Sequence, residues 1–458
     1  MRRMSPAESP KPVAPDALTS PWRAALQRAW ASVPQAALGN LVAKLAIVGL
    51  GLVITVLVAR MGPKVQGAFA LFVAVESALL TLFSGLGLWL ARQMSRQVSG
   101  HAWSALPMLL GVLRAAVVLG GLAALVLLAV SWRAQTMPYS QLWLLALAAP
   151  FLLLVPTATG LWLGEGRMWP INLAQVAAPA LVLAGLLGAG WLTTDYVGRS
   201  PVVVMVLIAW VSGKAVVALM TALAALRHAS QRDESTPGAV TASPSWRHDW
   251  RFVATIGVTN VISLMNYRAS LFLVERFHGL EVVGTYSVAV TVAELLWLLS
   301  SSVTVSLYAR IGHPERQIAA ATAVRAVRIN VLATLAAAPV LLAGAWWGVP
   351  WVLGESYVAS LWPLATLLPG VAAYAAASSL SAFYTNHLGR PHLSGLIATL
   401  SLVLSVGLGL WWVPLWGAVG AAAASSVGYI GAIAVAYAVF LRHAGLSWRA
   451  MIGRLPQA

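Results

Sequence analysis

Twelve apolar runs of about 20 residues or more succeed one another along this chain, at 38–59, 67–90, 105–131, 141–164, 170–192, 201–226, 251–275, 284–308, 327–349, 358–386, 391–413 and 416–441. Nothing else constrains the fold as strongly. A run of about 20 apolar residues crosses the hydrocarbon core of a bilayer as a helix, and a helix pairs all its backbone groups internally where no water can. The short alternating segments of a membrane barrel are absent. Composition agrees: 60% of residues are hydrophobic and only 9% charged, where a soluble domain carries about 25% charged residues. Mean hydropathy is +0.81. The expected fold class is an all-α polytopic membrane protein with about 12 transmembrane helices. With no cysteine in the chain, disulfide, iron–sulfur and thiolate chemistry are excluded.

The chain reads as two related halves. The stretch Leu52 to Arg92 carries Arg60, Gly67, Glu76 and Arg92 at spacings of 7, 9 and 16. The stretch Tyr267 to Arg310 carries Arg276, Gly284, Glu294 and Arg310 at spacings of 8, 10 and 16. In each copy a charge ends the first helix, a glycine opens the second, and a lone glutamate follows about ten residues into the apolar run. Gly166-Arg167 and Gly389-Arg390 form another pair, offset by 223 residues against 216 to 218 for the first set. The longest hydrophilic break, Arg227 to Asp249, falls between spans 6 and 7. The expected division is a tail with an interfacial helix (1–37), a six-helix bundle (38–228), a linker (229–249), a second bundle (250–442) and a tail (443–458). Within the first tail, Trp22 to Val33 reads as an amphipathic interfacial helix or as a plain leader into span 1.

The formal charge of +16 belongs to loops beside membrane helices, so it reports topology and contact with membrane lipid, not nucleic acid. Outside the spans, the termini and even-numbered loops hold 20 Lys and Arg, and the odd-numbered loops hold 5. By the positive-inside rule both termini are cytoplasmic. Six spans per half then give the halves one orientation, a parallel repeat about the membrane normal.

Ionisable residues inside spans are costly and by default face a cavity or a partner. Four cations qualify: Lys44 in span 1, with Asn40 one turn earlier, Arg114 in span 3, Lys214 in mid-span 6, and Arg268 in span 7 beside Asn266 and Tyr267. Lys44 and Arg114 lie close enough to the cytoplasmic interface to snorkel, and the sequence does not separate that from a cavity role. Lys214 is too central to snorkel easily and Arg268 lies about eight residues from the outer end of its span, and a cavity role is favoured for both. Glu76 and Glu294 read as counter-ions for these cations or as carriers of a coupling ion. Gly420, Ala424 and Gly428 form a small-residue face for close helix packing. Trp346, Trp347, Trp351, Trp411 and Trp412 sit near span ends, where an interfacial belt is expected.

Five stretches resemble the polysaccharide flippase family, also called O-antigen or lipid-linked oligosaccharide translocases, of the multidrug/oligosaccharidyl-lipid/polysaccharide exporter superfamily. They are VARMGPKVQGAFALFVAVESALLTLFSGLGLWLAR, the turn GEGR (164–167), LVERFHGLEVVGTYSVAVTVAELLWLLSSSVTVSLYARI, LGESYVASLWPLATLLPG (353–370) and WVPLWGAVGAAAASSVGYIGAIAVAYAVF (412–440). The resemblance covers about 38–442 and implies two six-helix pseudo-symmetric bundles around a central cavity, rocking between inward-open and outward-open states. It implies an undecaprenyl-pyrophosphate-linked oligosaccharide as substrate, flipped to the periplasmic leaflet of a bacterial inner membrane. It also implies other polysaccharide-assembly proteins as partners, and a polyprenyl tail left in lipid through a gap between spans 1 and 8. The four cations and their polar neighbours suit a pyrophosphate, which arginine grips with a fork and lysine meets as a point charge. No cofactor is expected, with Na+ or H+ as candidate coupling ions. The alternative is a sodium- or proton-coupled multidrug exporter of the same superfamily. A membrane polymerase or ligase is rejected, because the outer loops are short and no nucleotide-binding, zincin or nucleophile-elbow pattern occurs.

Overall fold

The computed structural model describes residues 35–96, 103–192, 200–234 and 245–448. The expected interfacial helix at 22–33, residues 235–244 of the linker and the end of the C-terminal tail lie outside them. Among the described residues, ten helical stretches are long and apolar enough to cross a membrane. Two of them are double: Trp250–Glu294 is broken at Gly279 and Pro391–Ala444 at Gly417. The twelve spans are therefore span 1 (Gln35–Arg60), 2 (Pro63–Arg96), 3 (Ala105–Arg133), 4 (Tyr139–Gly164), 5 (Met168–Leu192) and 6 (Ser200–Glu234). Spans 7 and 8 run through Trp250–Glu294 and on through Leu296–Ile311, span 9 is Arg316–Leu353, span 10 Glu355–His387, and spans 11 and 12 share Pro391–Ala444.

The punctuation follows from residue type. Pro63 and Pro391 open their helices at the first-turn position, where the missing N–H is not needed. The double helices turn at Gly279 (φ 79°) and Gly417 (φ 56°), a left-handed backbone that glycine adopts without a Cβ penalty. One glycine is enough for each reversal. This corrects the sequence reading: Gly67 and Gly284 do not open their helices but lie about one turn inside them. A Cβ on Gly67 would collide with the carbonyl of Leu280, and a Cβ on Gly284 with the carbonyl of Pro63. The two repeat-related glycines are reciprocal packing contacts between the halves.

Each half has its own interior. Spans 1–6 bury two clusters, one around Leu86, Trp89 and Leu109 and one around Ile54, Phe72 and Leu145. Spans 7–12 bury one large cluster around Tyr286, Val327, Tyr357 and Phe440, which Ala59, Leu71 and Ala74 of the first half join. Leucines and valines elsewhere point outward, with Val118, Leu125 and Val340 all above 60% exposed. On a soluble protein such a surface would be an aggregation liability, whereas against lipid chains it is matched. Trp346, Trp347, Trp351 and Trp411 are exposed near the ends of spans 9 and 11, and Gly428 on span 12 packs against Ser405 of span 11.

Span 6 runs eight residues past its expected end, to Glu234. Polar contacts hold the extension. Glu165 in the turn between spans 4 and 5 accepts from Arg232 (2.7 Å) and pairs with His228 (2.8 Å). Asp233 accepts from the backbone N–H groups of Ala105 (2.8 Å) and Leu106 (3.0 Å), capping span 3 from another helix. Ala at such a cap costs about 1 kcal/mol, so Asp233→Ala should lower the thermal midpoint in detergent by about a degree or two. An unchanged midpoint would show that the cap contributes nothing.

Candidate functional site

Span 2 is the spine between the bundles, packing along the helix pair of spans 7 and 8. On the side away from the termini the halves are closed. Besides the two glycine contacts, Gln66 donates to Ser287 (3.2 Å), Arg60 to the carbonyl of Val352 (2.8 Å), Tyr357 to the carbonyl of Ala59 (2.9 Å) and Tyr139 to Glu275 (3.1 Å). On the termini side the seam of spans 2 and 7 is also tight. Gly85 abuts Val253 and Gly257 abuts Leu82, while Asn260 donates to Ser84 (3.1 Å). A cavity is left between these seams.

The cavity has three adjoining chambers. The central one, about 640 Å³, lies between the halves and is lined from spans 1, 2, 5, 6, 7 and 8. A second, about 530 Å³, reaches into the first bundle and shares Gln175, Ala178 and Lys214 with the central chamber. A third, about 460 Å³, reaches into the second bundle; it meets the central chamber at Trp297 and the second at Asn260. The two side chambers extend to Met168, Thr385 and Pro391, at the turns on the termini side.

Lys214 and Arg268, 54 residues apart in sequence, come from opposite halves and line the same central chamber. Each is held by one of the repeated glutamates. Lys214 Nζ donates to Glu76 Oε1 (2.8 Å), and Trp210, one turn away on span 6, donates its indole N–H to Glu76 Oε2 (2.6 Å). Glu76 is fully buried, and the Lys214 ammonium stands 4.2 Å from the Trp210 ring centroid, a cation–π contact. Across the chamber Arg268 makes a two-pronged pair with Glu294 at 3.1 and 3.2 Å. The glutamates are thus partnered to the cations by direct contact. Glu294 lines the central chamber and is partly exposed, whereas Glu76 borders the second chamber but has no exposed side-chain surface behind Lys214.

The remaining expected residues are placed apart from this pair. Lys44 is exposed on span 1, on the helical stripe that continues as Ile47, Val48, Gly51 and Thr55 of the chamber wall. Asn40 lies one turn further out on that face. Arg114 is exposed and lines a separate cleft of about 480 Å³ with Met108, Trp246 and Arg247 on the flank of the first bundle. The structure does not bring Arg114 to the other cations. Asn266 is buried and donates to Tyr374 (3.3 Å), behind the wall and not on it. Tyr267 lines the third chamber, its ring 4.8 Å from that of Trp297.

Sequence reasoning missed the hydroxyl side chains. The third chamber is lined by Thr259, Ser263, Ser300, Ser301, Ser378, Ser381, Thr385 and Ser394 with Tyr267, Trp297, Tyr374 and Tyr384. Behind this wall Asn330 donates to Thr304 (3.2 Å) and Ser379 (2.9 Å). The signal was present as Ser300-Ser301-Ser302 and Ser378-Ser379 inside apolar runs. Gln66, Gln175 and Trp210 were likewise passed over. Among the described residues no group of three or more His, Cys, Asp or Glu is arranged to hold a metal ion.

The chain matches no protein-family model and no curated protein sequence. Its fold matches solved membrane proteins at low identity. An inward-facing conformation of a multidrug resistance MATE family transporter of the MOP superfamily aligns over 87% of this chain and 94% of that one, with TM-score 0.70 and 18% identity. The lipid II flippase MurJ in an inward closed conformation aligns over 90% and 88%, with TM-score 0.66 and 14% identity. An outward-facing MATE transporter aligns over 91% and 95%, with TM-score 0.63 and 18% identity. The chain is a multi-pass, all-helical membrane protein with the fold of these transporters, two pseudo-symmetric six-helix bundles.

Proposed function

We propose that the protein moves an anionic, lipid-linked glycan, a polyprenyl-diphosphate-linked oligosaccharide, from one leaflet to the other by alternating access. The observation that carries this reading is the meeting of Lys214 and Arg268, one from each half, in a chamber closed on the far side. A diphosphate spanning the chamber would engage both bundles at once, so its binding energy would depend on how the halves are placed. That dependence is what a rocking transporter requires. The paired glutamates lower the cost of holding the cations in the membrane while the chamber is empty. They leave donors free: Arg268 has five N–H groups, of which Glu294 takes two.

The tail has a route on the outside. Spans 1, 8 and 9 form an apolar groove of about 740 Å³, and Leu295 belongs to both this groove and the central chamber. An amphiphile with its phosphates at Arg268 can leave its hydrocarbon there. By the positive-inside reading the cavity opens to the cytoplasm, where such lipids are assembled.

Loss of the protein should accumulate the lipid-linked glycan on the cytoplasmic leaflet. Restoration with Arg268→Ala should lower flipping at limiting substrate about tenfold or more, the effect of a lost charge-assisted hydrogen bond. One observation favours a second reading. Glu294 faces the chamber, and if Arg268 released it, the acid would suit an organic cation exported against Na+ or H+. Unchanged lipids with increased sensitivity to cationic drugs would select that reading and overturn the first.

A further inference from the structure

The third chamber differs in chemistry from the central one. None of its lining residues is a lysine, arginine, aspartate or glutamate, although it adjoins the Lys214 and Arg268 chamber, with Trp297 in the wall of both. Four of its hydroxyls are oriented by their own helices. Thr259 donates to the carbonyl of Thr255 (2.8 Å), Ser263 to that of Thr259 (3.1 Å), Ser300 to that of Trp297 (3.1 Å) and Ser301 to that of Leu298 (3.0 Å). A hydroxyl has one proton and two lone pairs. Once the proton is committed to the backbone, what remains is an acceptor.

An acceptor-rich wall is the wrong surface for a phosphate, which is itself all acceptor. It is equally poor for an organic cation without an acid to meet it. It suits a ligand rich in neutral O–H and N–H donors. Aromatic faces complete the wall: Tyr267, Trp297 and Tyr374 lie with ring centroids 4.8 to 6.1 Å apart. Such rings cover the apolar C–H faces of a pyranose while the hydroxyls take its O–H groups.

We infer that the third chamber is a subsite for an uncharged sugar, receiving the glycan next to the diphosphate while Lys214 and Arg268 hold the phosphates. This rests on the reading under Proposed function and divides that cavity by chemistry: phosphate between the halves, neutral sugar within the second half. Trp297, at the junction, would be the boundary. A glycan carrying uronic acid next to its diphosphate is disfavoured, because nothing in the chamber wall offsets the carboxylate.

The test uses the full-length protein in nanodiscs and three probes: geranyl diphosphate, the same lipid carrying N-acetylglucosamine on its terminal phosphate, and the same lipid carrying glucuronic acid. The neutral-sugar probe should bind about tenfold more tightly than the sugar-free one, the equivalent of one or two net hydrogen bonds. Ser263→Leu/Ser381→Leu, which fills the chamber, should abolish that advantage while leaving the sugar-free affinity unchanged. The sugar-free affinity also verifies that the variant is folded. Glu76→Gln/Lys214→Met, which removes the cation without stranding the buried carboxylate, should weaken both geranyl diphosphate and its N-acetylglucosamine derivative. If geranyl diphosphate binds but the neutral sugar adds nothing, or if the filled chamber keeps the advantage, the subsite is overturned and the phosphate site stands. Tighter binding of the glucuronic acid probe than of the neutral one would also overturn it. If no probe binds, the flippase reading fails with it.

Discussion

Lys214→Met should destabilise the protein by about 3–5 kcal/mol, the usual cost of stranding one member of a buried ion pair. Glu76 is fully buried, and without Lys214 its carboxylate keeps only the Trp210 indole as a hydrogen-bond partner. The charge then has neither water nor a counter-ion. A second substitution should relieve this. Glu76→Gln on the Lys214→Met background removes the stranded charge, and its amide oxygen can still accept from Trp210. The double variant should therefore be more stable than Lys214→Met alone, although it departs further from the natural sequence. Denaturation of the purified protein in detergent measures both. If the double variant is no more stable than the single one, the pair is not coupled and Glu76 tolerates burial for another reason. The double variant also separates two roles of Lys214, since a folded protein without that cation tests substrate binding without the confounding loss of stability.

Gly67→Val should force the far-side seam open. At this position the neighbour is the carbonyl of Leu280, a backbone atom, so a side chain cannot be accommodated by a rotamer change. Gly284→Val makes the reciprocal collision with Pro63 and should act in the same direction. Either substitution disfavours the state with the far side closed without touching the cations. The chain contains no cysteine, so Ser287→Cys reports on one site alone. Ser287 lies on the chamber wall and is tied to Gln66 across the seam. An impermeant maleimide added on the far side should label Ser287→Cys slowly in the natural background and many times faster with Gly67→Val. Gly49→Ala, with no atom within 4 Å of the added carbon, is the control and should change nothing. Equal labelling in all backgrounds would mean that the glycine contact is not the gate.

The repeated landmarks were legible in sequence, but their roles were not. Glycine at 67 and 284 fits a helix start, a turn or a close packing contact, and all three leave the same letter at the same spacing. Only the position of the opposing backbone, more than two hundred residues away in the chain, distinguishes them. The same holds for the glutamates. Their symmetric placement in spans 2 and 8 suggested equivalent counter-ions, and both do pair with a cation. Their surroundings nevertheless differ: Glu76 has no exposed side-chain surface behind Lys214 and Trp210, while Glu294 lines the central chamber with Arg268. Depth in the span favoured Arg268 over Arg114 as a cavity residue, but left both a cavity and the interface open to Arg114. Packing sends one to a flank cleft and the other to the central chamber.

Sequence by itself determined the class of fold, the number of spans and the division into halves. The reason is that a bilayer tests each segment separately: about 20 apolar residues cross it whatever their neighbours do. Tertiary structure alone decided which wall each polar residue joins. A serine or threonine in an apolar span satisfies its proton on its own helix in either case, so the same hydroxyl is compatible with lipid, with a packed seam or with a cavity. The chamber of Ser263, Ser300 and Ser301 exists only because spans 7, 8, 10 and 11 leave that space between them. Its chemistry is a property of the arrangement of the helices, not of any one span.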